Sequence, residues 1–333
     1  VPTDLDAEID FFTYNPSTIR YTDVSGSSYS GAQPGEKLTL SAYYTVEAGV
    51  LTQGDPCTIL VTDPDGRPAA GVEVWLGEAQ IGTTGAEGTL TSEATRAMEA
   101  GAKCVFTAKS GSNVSFATEY TVMAHAGNGE GKPGSIRFSA GTDSRTKQTV
   151  TWMSNASAAG ETAVVRYMTK ADYDARSAGA AFDFAQTSDA YTQVTGQSTL
   201  TAFSVSKSAA RVNRVELAGL EPGTTYCGVV GDGTIWSDVR TFTTSPAQQN
   251  RTSFLVVGDT QMSGNPESDA DAIDILNQIG TSVQGQSFDF GLQTGDFVDN
   301  GANYNQWSEI LDLFDQNFGG TDFITVLGNH EYY

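Results

Sequence analysis

The sequence predicts a multidomain chain: two all-β sandwiches in succession, followed by the first part of an α/β layer. Three observations lead there. Short β-forming runs broken by Gly, Pro and Asp turns fill residues 1–124 and again 135–246, the signature of sandwiches. A polar, Gly-rich stretch without periodicity, HAGNGEGKPG at 125–134, separates them as a linker. From residue 252 the pattern changes to short apolar runs alternating with amphipathic helical repeats. A length of 333 residues suits two or three domains, and 39% hydrophobic content supplies their cores.

In the first β region, runs such as 37–44 and 57–62 are rich in β-formers, and Asp63-Pro64-Asp65-Gly66-Arg67-Pro68 between runs is turn chemistry. Together with Gly85-Ala86-Glu87-Gly88, this stretch resembles bacterial immunoglobulin-like surface modules. The resemblance implies a spacer, with contact to a cell-surface or wall polymer through residues 1–124 as the other role. Cys57 and Cys104 lie in neighbouring strand-like segments, where either a disulfide or two buried free thiols fits; no spacing that includes Cys227 suggests zinc. His125, at the start of the linker, reads as solvated.

The second β region opens with Ile136-Arg137-Phe138 and Thr149-Val150-Thr151-Trp152-Met153. It closes with Leu220-Glu221-Pro222-Gly223-Thr224-Thr225-Tyr226 and Arg240-Thr241-Phe242-Thr243-Thr244. A leucine, a Pro-Gly turn, a Tyr-bearing strand and a last Phe-Thr-Thr strand resemble a fibronectin type III domain. More narrowly, they resemble the domain that precedes the catalytic domain of purple acid phosphatases. Tyr226 is expected to anchor the corner between strands.

In the last region, 254–257, 288–292 and 323–327 read as buried strands. A helix is expected near 270–279, with Pro266, Glu267, Asp269 and Asp271 at its start, where the dipole favours negative charge. A second helix carries Trp307, Ile310, Leu311 and Phe314 on one face. Active groups of such sheets gather at the carboxyl ends of strands, and three polar blocks fall there. They are Gly258-Asp259-Thr260-Gln261, Gly295-Asp296-Phe297-Val298-Asp299 and Gly328-Asn329-His330-Glu331.

Charge narrows the chemistry. A net charge of −22 opposes a nucleic-acid groove, which needs Lys and Arg to replace counterions. It suits a secreted or cell-surface protein, although the amino terminus carries no signal-peptide pattern. No apolar run is long enough for a transmembrane segment. Between Thr252 and Tyr333 there are thirteen Asp and Glu residues and no Lys or Arg. An anionic substrate would be repelled there unless bound cations supplied the positive field.

The three blocks in this order resemble the first three blocks of the calcineurin-like metallophosphoesterases, which hydrolyse phosphate esters with two adjacent metal ions. The resemblance implies two divalent or transition metal ions (Fe, Mn or Zn). Asp296 would bridge them, Asp259 would bind the first and Asn329 the second. His330 would be catalytic, donating to the phosphoryl or leaving oxygen. Gln261 stands where the family most often has His, and either coordinates or holds a water at the metal. Asp299 stands where purple acid phosphatases have a Tyr, so no purple ferric site is expected, and Asp299 is read as orienting a ligand by hydrogen bonding. Glu331 is read as structural.

The family completes its site with histidines further downstream, and residues 252–333 are read as the incomplete first part of that domain. Oxygen ligands alone make a poor pair of transition-metal sites. The expectation is therefore a metallophosphoesterase, a hydrolase of phosphomonoesters or phosphodiesters in the complete protein, with the chain as given inactive. The alternative is a surface-binding or adhesive protein whose β modules act and whose third domain is degenerate.

Overall fold

The computed structural model describes residues 43–127, 131–156, 162–186, 188–283 and 288–332, with four short backbone strands before them at Ala7–Ile9, Tyr21–Thr22, Ser28–Tyr29 and Leu38–Leu40. The chain divides into two compact units, Val1–Ala124 and His125–Tyr333.

The first unit contains a three-stranded antiparallel sheet of Thr45–Ala48, Cys57–Thr62 and Thr89–Ser92. A five-stranded sheet is centred on Lys103–Ser110 and Glu73–Leu76. Period-2 alternation explains the core between them: Cys57, Ile59 and Val61 point inward from one strand, and Cys104, Phe106 and Ala108 from another. The turn at 63–68 forms as the sequence indicates, with Asp63 Oδ1 accepting from the N–H of Asp65 and Arg67, both at 2.9 Å. Cys57 and Cys104 are buried free thiols, so of the two sequence alternatives the unbridged one is observed. The Cys57 thiol donates to the Ser92 carbonyl and the Cys104 thiol to Met98 Sδ.

In the second unit, seven antiparallel strands run in the order Gly134–Ala140, Lys147–Asn155, Ser208–Ala218, Thr192–Phe203, Ala163–Thr169, Thr225–Gly231 and Arg240–Thr243. The long strand Thr192–Phe203 passes from one sheet to the other, pairing with Ala163–Thr169 in its first half and with Ser208–Ala218 in its second. Trp152, Val215, Leu217 and Tyr226 fill the space between the sheets. Tyr226 anchors the corner as expected: its hydroxyl accepts the Glu221 N–H at 2.8 Å, and its ring stacks on Phe242. One short helix, α1 (Lys170–Arg176), is capped by Thr169.

His125 corrects the sequence reading. It is half-buried rather than solvated, with Nδ1 2.9 Å from Asn155 Oδ1. The next residue, Ala126, is buried against Met153, Phe203, Ala210 and Tyr304. The stretch read as a linker therefore begins as packed structure, while its residues 128–130 lie outside the described residues.

The α/β layer consists of three parallel strands, Phe254–Val257, Phe290–Gln293 and Phe323–Thr325, with α2 (Pro266–Ser282) and α3 (Tyr304–Phe318) between them in sequence. Asn265 caps α2 by accepting the Glu267 N–H. On α3, Ile310 and Phe314 are fully buried with Trp307 and Leu311 beside them, and Leu313 and Phe318 extend the predicted face. The buried-strand reading holds for one face of the sheet. The strands are covered on one face only, leaving Phe254 (51%), Val256 (53%) and Ile324 (47%) exposed among the described residues. Both helices pack with Val257 and Phe323 in a single core, so alternate residues of each strand face outward.

Candidate functional site

Each block sits on the turn that leaves the carboxyl end of one parallel strand. The first two turns are bonded to one another through their backbones, and the third is joined to the second through the Asp296 and Glu331 carboxylates. Asp259 N–H donates to the Gly295 carbonyl (3.2 Å), Gln261 N–H to the Asp296 carbonyl (2.8 Å), and Met262 N–H to the Phe297 carbonyl (3.0 Å). The second turn is shaped from below by Gln293, which is fully buried; its amide accepts from the Gly295 N–H (2.7 Å) and donates to the Gly295 carbonyl (2.9 Å).

Close approach explains the glycines that open the second and third blocks. A Cβ at Gly295 would lie 2.7 Å from the Gly328 nitrogen, and one at Gly328 would collide with the Asp296 carboxylate. The acidic and amide residues after them lie in strained backbone. Of the five non-glycine residues with positive φ among the described residues, three belong to the blocks: Asp259 (53°), Gln261 (39°) and Asp296 (52°). Left-handed backbone costs about 1 kcal/mol or more for such residues, and it persists where surrounding bonds over-determine it.

The predicted site residues are thus gathered on three adjoining turns. Asp259, Gln261 and Asn329 are exposed, while Asp296 and His330 are half-buried. Asp296 Oδ1 accepts the His330 N–H at 3.1 Å. The His330 ring is held at both nitrogens. Nδ1 donates to the Asp299 carbonyl at 2.8 Å, because that oxygen can only accept; Nε2 therefore accepts from the Gln261 side-chain amide, also at 2.8 Å. Asp299 orients His330 through its main chain, with its carboxylate 3.6 Å from the ring. The Asp299 carbonyl, with the charges of Asp296, Asp299 and Glu331, raises the His330 pKa above the ordinary imidazole value.

The oxygen donors on these turns are the carboxylates of Asp259 and Asp296 and the amide oxygens of Asn329 and Gln261. Such donors fit hard divalent cations better than thiophilic or imidazole-seeking ions. His330, the imidazole among them, already has both nitrogens engaged. Among the described residues no three His, Cys, Asp or Glu side chains converge as a cage.

Two supporting residues escaped the sequence reading, and Glu331, read as structural, reaches further than its own turn. Asp269, read as a dipole charge, is buried, and its carboxylate accepts the Ser263 N–H and hydroxyl and the Asn265 N–H, closing the loop after the first block. Gln306, on the buried side of α3, donates to the Ser263 carbonyl (2.7 Å) and accepts the Asn300 N–H (2.8 Å), joining the loops of the first two blocks. A polar residue four positions before Ile310, on an otherwise apolar face, was the available signal. Glu331 accepts backbone N–H groups from two turns.

Residues 133–244 match the purple acid phosphatase N-terminal domain, and residues 252–333 match the calcineurin-like phosphoesterases. No curated protein matches the chain. Among solved structures, a purple acid phosphatase, PPD1, from yellow lupin (Lupinus luteus) seeds is 14% identical, with a TM-score of 0.43 over 87% of this chain and 58% of that one. The protein PhoD is 12% identical, with a TM-score of 0.39 over 62% of this chain and 40% of that one. An fn3 domain of human contactin 1 is 16% identical, with a TM-score of 0.23 over 38% of this chain and 86% of that domain. The chain thus spans under two thirds of the length of the first two of these structures. No helix among the described residues is long and apolar enough to cross a membrane.

Proposed function

We propose that the whole protein hydrolyses phosphate esters, monoesters or diesters, at a two-metal site to which residues 252–333 contribute Asp259, Asp296, Asn329 and His330. The observation that carries this reading is the bonding of the three block turns to one another, by backbone and by the Asp296 and Glu331 carboxylates, at the carboxyl ends of three parallel strands. Matches to the calcineurin-like phosphoesterases and to the purple acid phosphatase N-terminal domain agree with it.

When bound, the cations would polarise the phosphate and lower the pKa of the attacking water. Asp296, with one oxygen accepting from the His330 backbone, keeps its second oxygen for a cation. Asp259 and Asn329 serve from the turns on either side. His330 would meet the leaving group through Nε2, the nitrogen that accepts from the Gln261 amide, with Nδ1 fixed on the Asp299 carbonyl. With Nδ1–H held by the Asp299 carbonyl, a proton taken up at Nε2 makes the imidazolium, and movement of the Gln261 amide off Nε2 lets that proton pass to the leaving oxygen, returning the ring to its neutral form. Gln261 acts as the keeper of that ring and supplies an amide oxygen to the site. Secretion or surface attachment belongs to the same proposal and rests on the net charge of −22.

The test is hydrolysis of a phosphomonoester and a phosphodiester by the whole protein with Mn²⁺ added. Asp296→Asn is expected to lower turnover by roughly 10³-fold or more. Unchanged turnover would remove the bridging carboxylate from the mechanism. The surface-binding reading is favoured by one observation, the Gln261 amide in the position of a histidine. It predicts binding to cell-wall polymer with no hydrolysis of either substrate.

A further inference from the structure

We propose that Glu331 is a positioning residue, whose carboxylate fixes the turn carrying Asp296 against the turn carrying Asn329. This rests on the phosphoester-hydrolase reading above. Glu331 Oε2 accepts the N–H of Asp296 (2.9 Å) and of Gly328 (2.7 Å). Oε1 accepts the N–H of Phe297 (2.8 Å) and, at a longer 3.4 Å, of Val298. Two oxygens thus meet four backbone donors drawn from two different turns.

The pattern separates this role from simple turn closure. An acid that only closed its own turn would bond Gly328, three residues before it. Three of the four bonds instead reach 33 to 35 residues back along the chain. They grip the backbone at Asp296 and just after it, where φ is 52° and the chain would otherwise relax. The connection is returned by Asp296, whose Oδ1 accepts the His330 N–H. Asn329 and His330 lie between Gly328 and Glu331, so both ends of their short segment are tied to the Asp296 turn. A further bond, from the Gly301 N–H to the His330 carbonyl at 2.9 Å, holds the segment from outside. A negative charge suits the task, since bonds from N–H groups to a carboxylate are shorter and stronger than those to a neutral acceptor.

The experiment is amide hydrogen exchange on the intact protein without metal, paired with Mn²⁺ titration, for wild type, Glu331→Gln and Glu331→Asp. Glutamine keeps the shape but turns an NH₂ toward two N–H donors. Exchange at Asp296, Phe297 and Gly328 should accelerate about tenfold or more, with α2 and α3 unchanged. Mn²⁺ affinity should fall about 10- to 100-fold, as for other groups that orient metal ligands. Glu331→Asp keeps charge and both oxygens and should recover part of both; if Glu331→Gln does not fold, this variant carries the comparison. Unchanged exchange at those amides overturns the proposal. Accelerated exchange with full Mn²⁺ affinity also overturns it, leaving Glu331 as a turn closure. A wild-type protein that binds no Mn²⁺, yet shows the accelerated exchange in the variant, overturns the hydrolase reading instead and takes the positioning role with it.

Discussion

Two groups of carboxylates in the α/β layer have the same composition and opposite surroundings. Along α3 and the strand that follows it, the acids face the β-sandwich and are answered by it. Asp315 Oδ2 pairs with Arg240 at 2.9 Å, and Asp312 Oδ1 accepts the backbone N–H (2.9 Å) and hydroxyl (3.1 Å) of Ser135. Asp322 accepts from the buried Gln148 amide. Arg137 completes this seam, its guanidinium lying 5.4 Å from the Phe314 ring centre and 5.0 Å from that of Phe323. At the block turns, by contrast, Asp296 accepts a backbone N–H, Asp299 lies beside one imidazole, and no Lys or Arg occurs between Thr252 and Tyr333. The sandwich supplies the cations that residues 252–333 lack, but only at the seam. The acids on the turns have no Lys or Arg partner among the described residues, which is the setting the proposed cations would need.

The largest test of this contrast is Arg137→Ala. Burial lowers the Arg137 pKa to about 10, against the opposing pull of Asp315 and Asp322, so the side chain is charged at neutral pH. Its loss removes a buried cation that offsets Asp322 and Asp315 and lies over two rings, leaving Asp322 with Gln148 and Asp315 with Arg240, and we expect about 3 kcal/mol less stability by urea unfolding. A change under 1 kcal/mol would show that the seam acids do not depend on the sandwich.

A smaller effect is expected from pH. Burial raises the Asp322 pKa to about 6, with the Gln148 bond and Arg137 acting the other way. Its folded value lies above the unfolded one, so the folded state holds the extra proton between about pH 4 and pH 6. That contribution is complete at the acid end and is lost as pH rises through about 6. From pH 7 to pH 4, wild type should gain on the order of 2 kcal/mol relative to Asp322→Asn, read from unfolding midpoints at each pH. Parallel pH profiles for the two proteins would discard this assignment.

The smallest effect should have the opposite sign. Asp259→Gly relieves a left-handed residue on an exposed turn, and should stabilise the metal-free protein by about 0.5–1 kcal/mol while weakening Mn²⁺ binding. Loss of stability in this variant would mean that the Asp259 carboxylate is tied into the fold rather than held in reserve for a ligand.

Local pattern made much of this molecule legible. The alternation in Cys57–Thr62 and Lys103–Ser110, the Tyr226 corner and the α3 face at Ile310 and Phe314 can be read from nearest neighbours, because each obeys a period of 2 or 3.6. The blocks were visible for a related reason: glycine and a polar residue after an apolar run mark a strand end. Long-range partners were not visible. Glu331 was legible as structural but its partners were not, since most of its bonds go to residues 33 to 35 positions away. Asp269 looked like a dipole charge and proved to be a buried loop clamp. His125 looked solvated because the strand that packs near it, Ser208–Ala218, is far off in sequence.

By itself, then, the sequence determined which segments become strands and helices, where the three polar turns fall, and that acids rather than cations surround them. Those properties follow from side-chain period and local backbone preference. Tertiary structure alone decided which acids are neutralised and which stay open, and which face of the three-stranded sheet is covered. It also decided that Gln261, Asp299 and Glu331 hold His330 and Asp296 in place. Those outcomes depend on hydrogen bonds and charge pairs between residues far apart in the chain, and such pairings leave no periodic trace in the sequence.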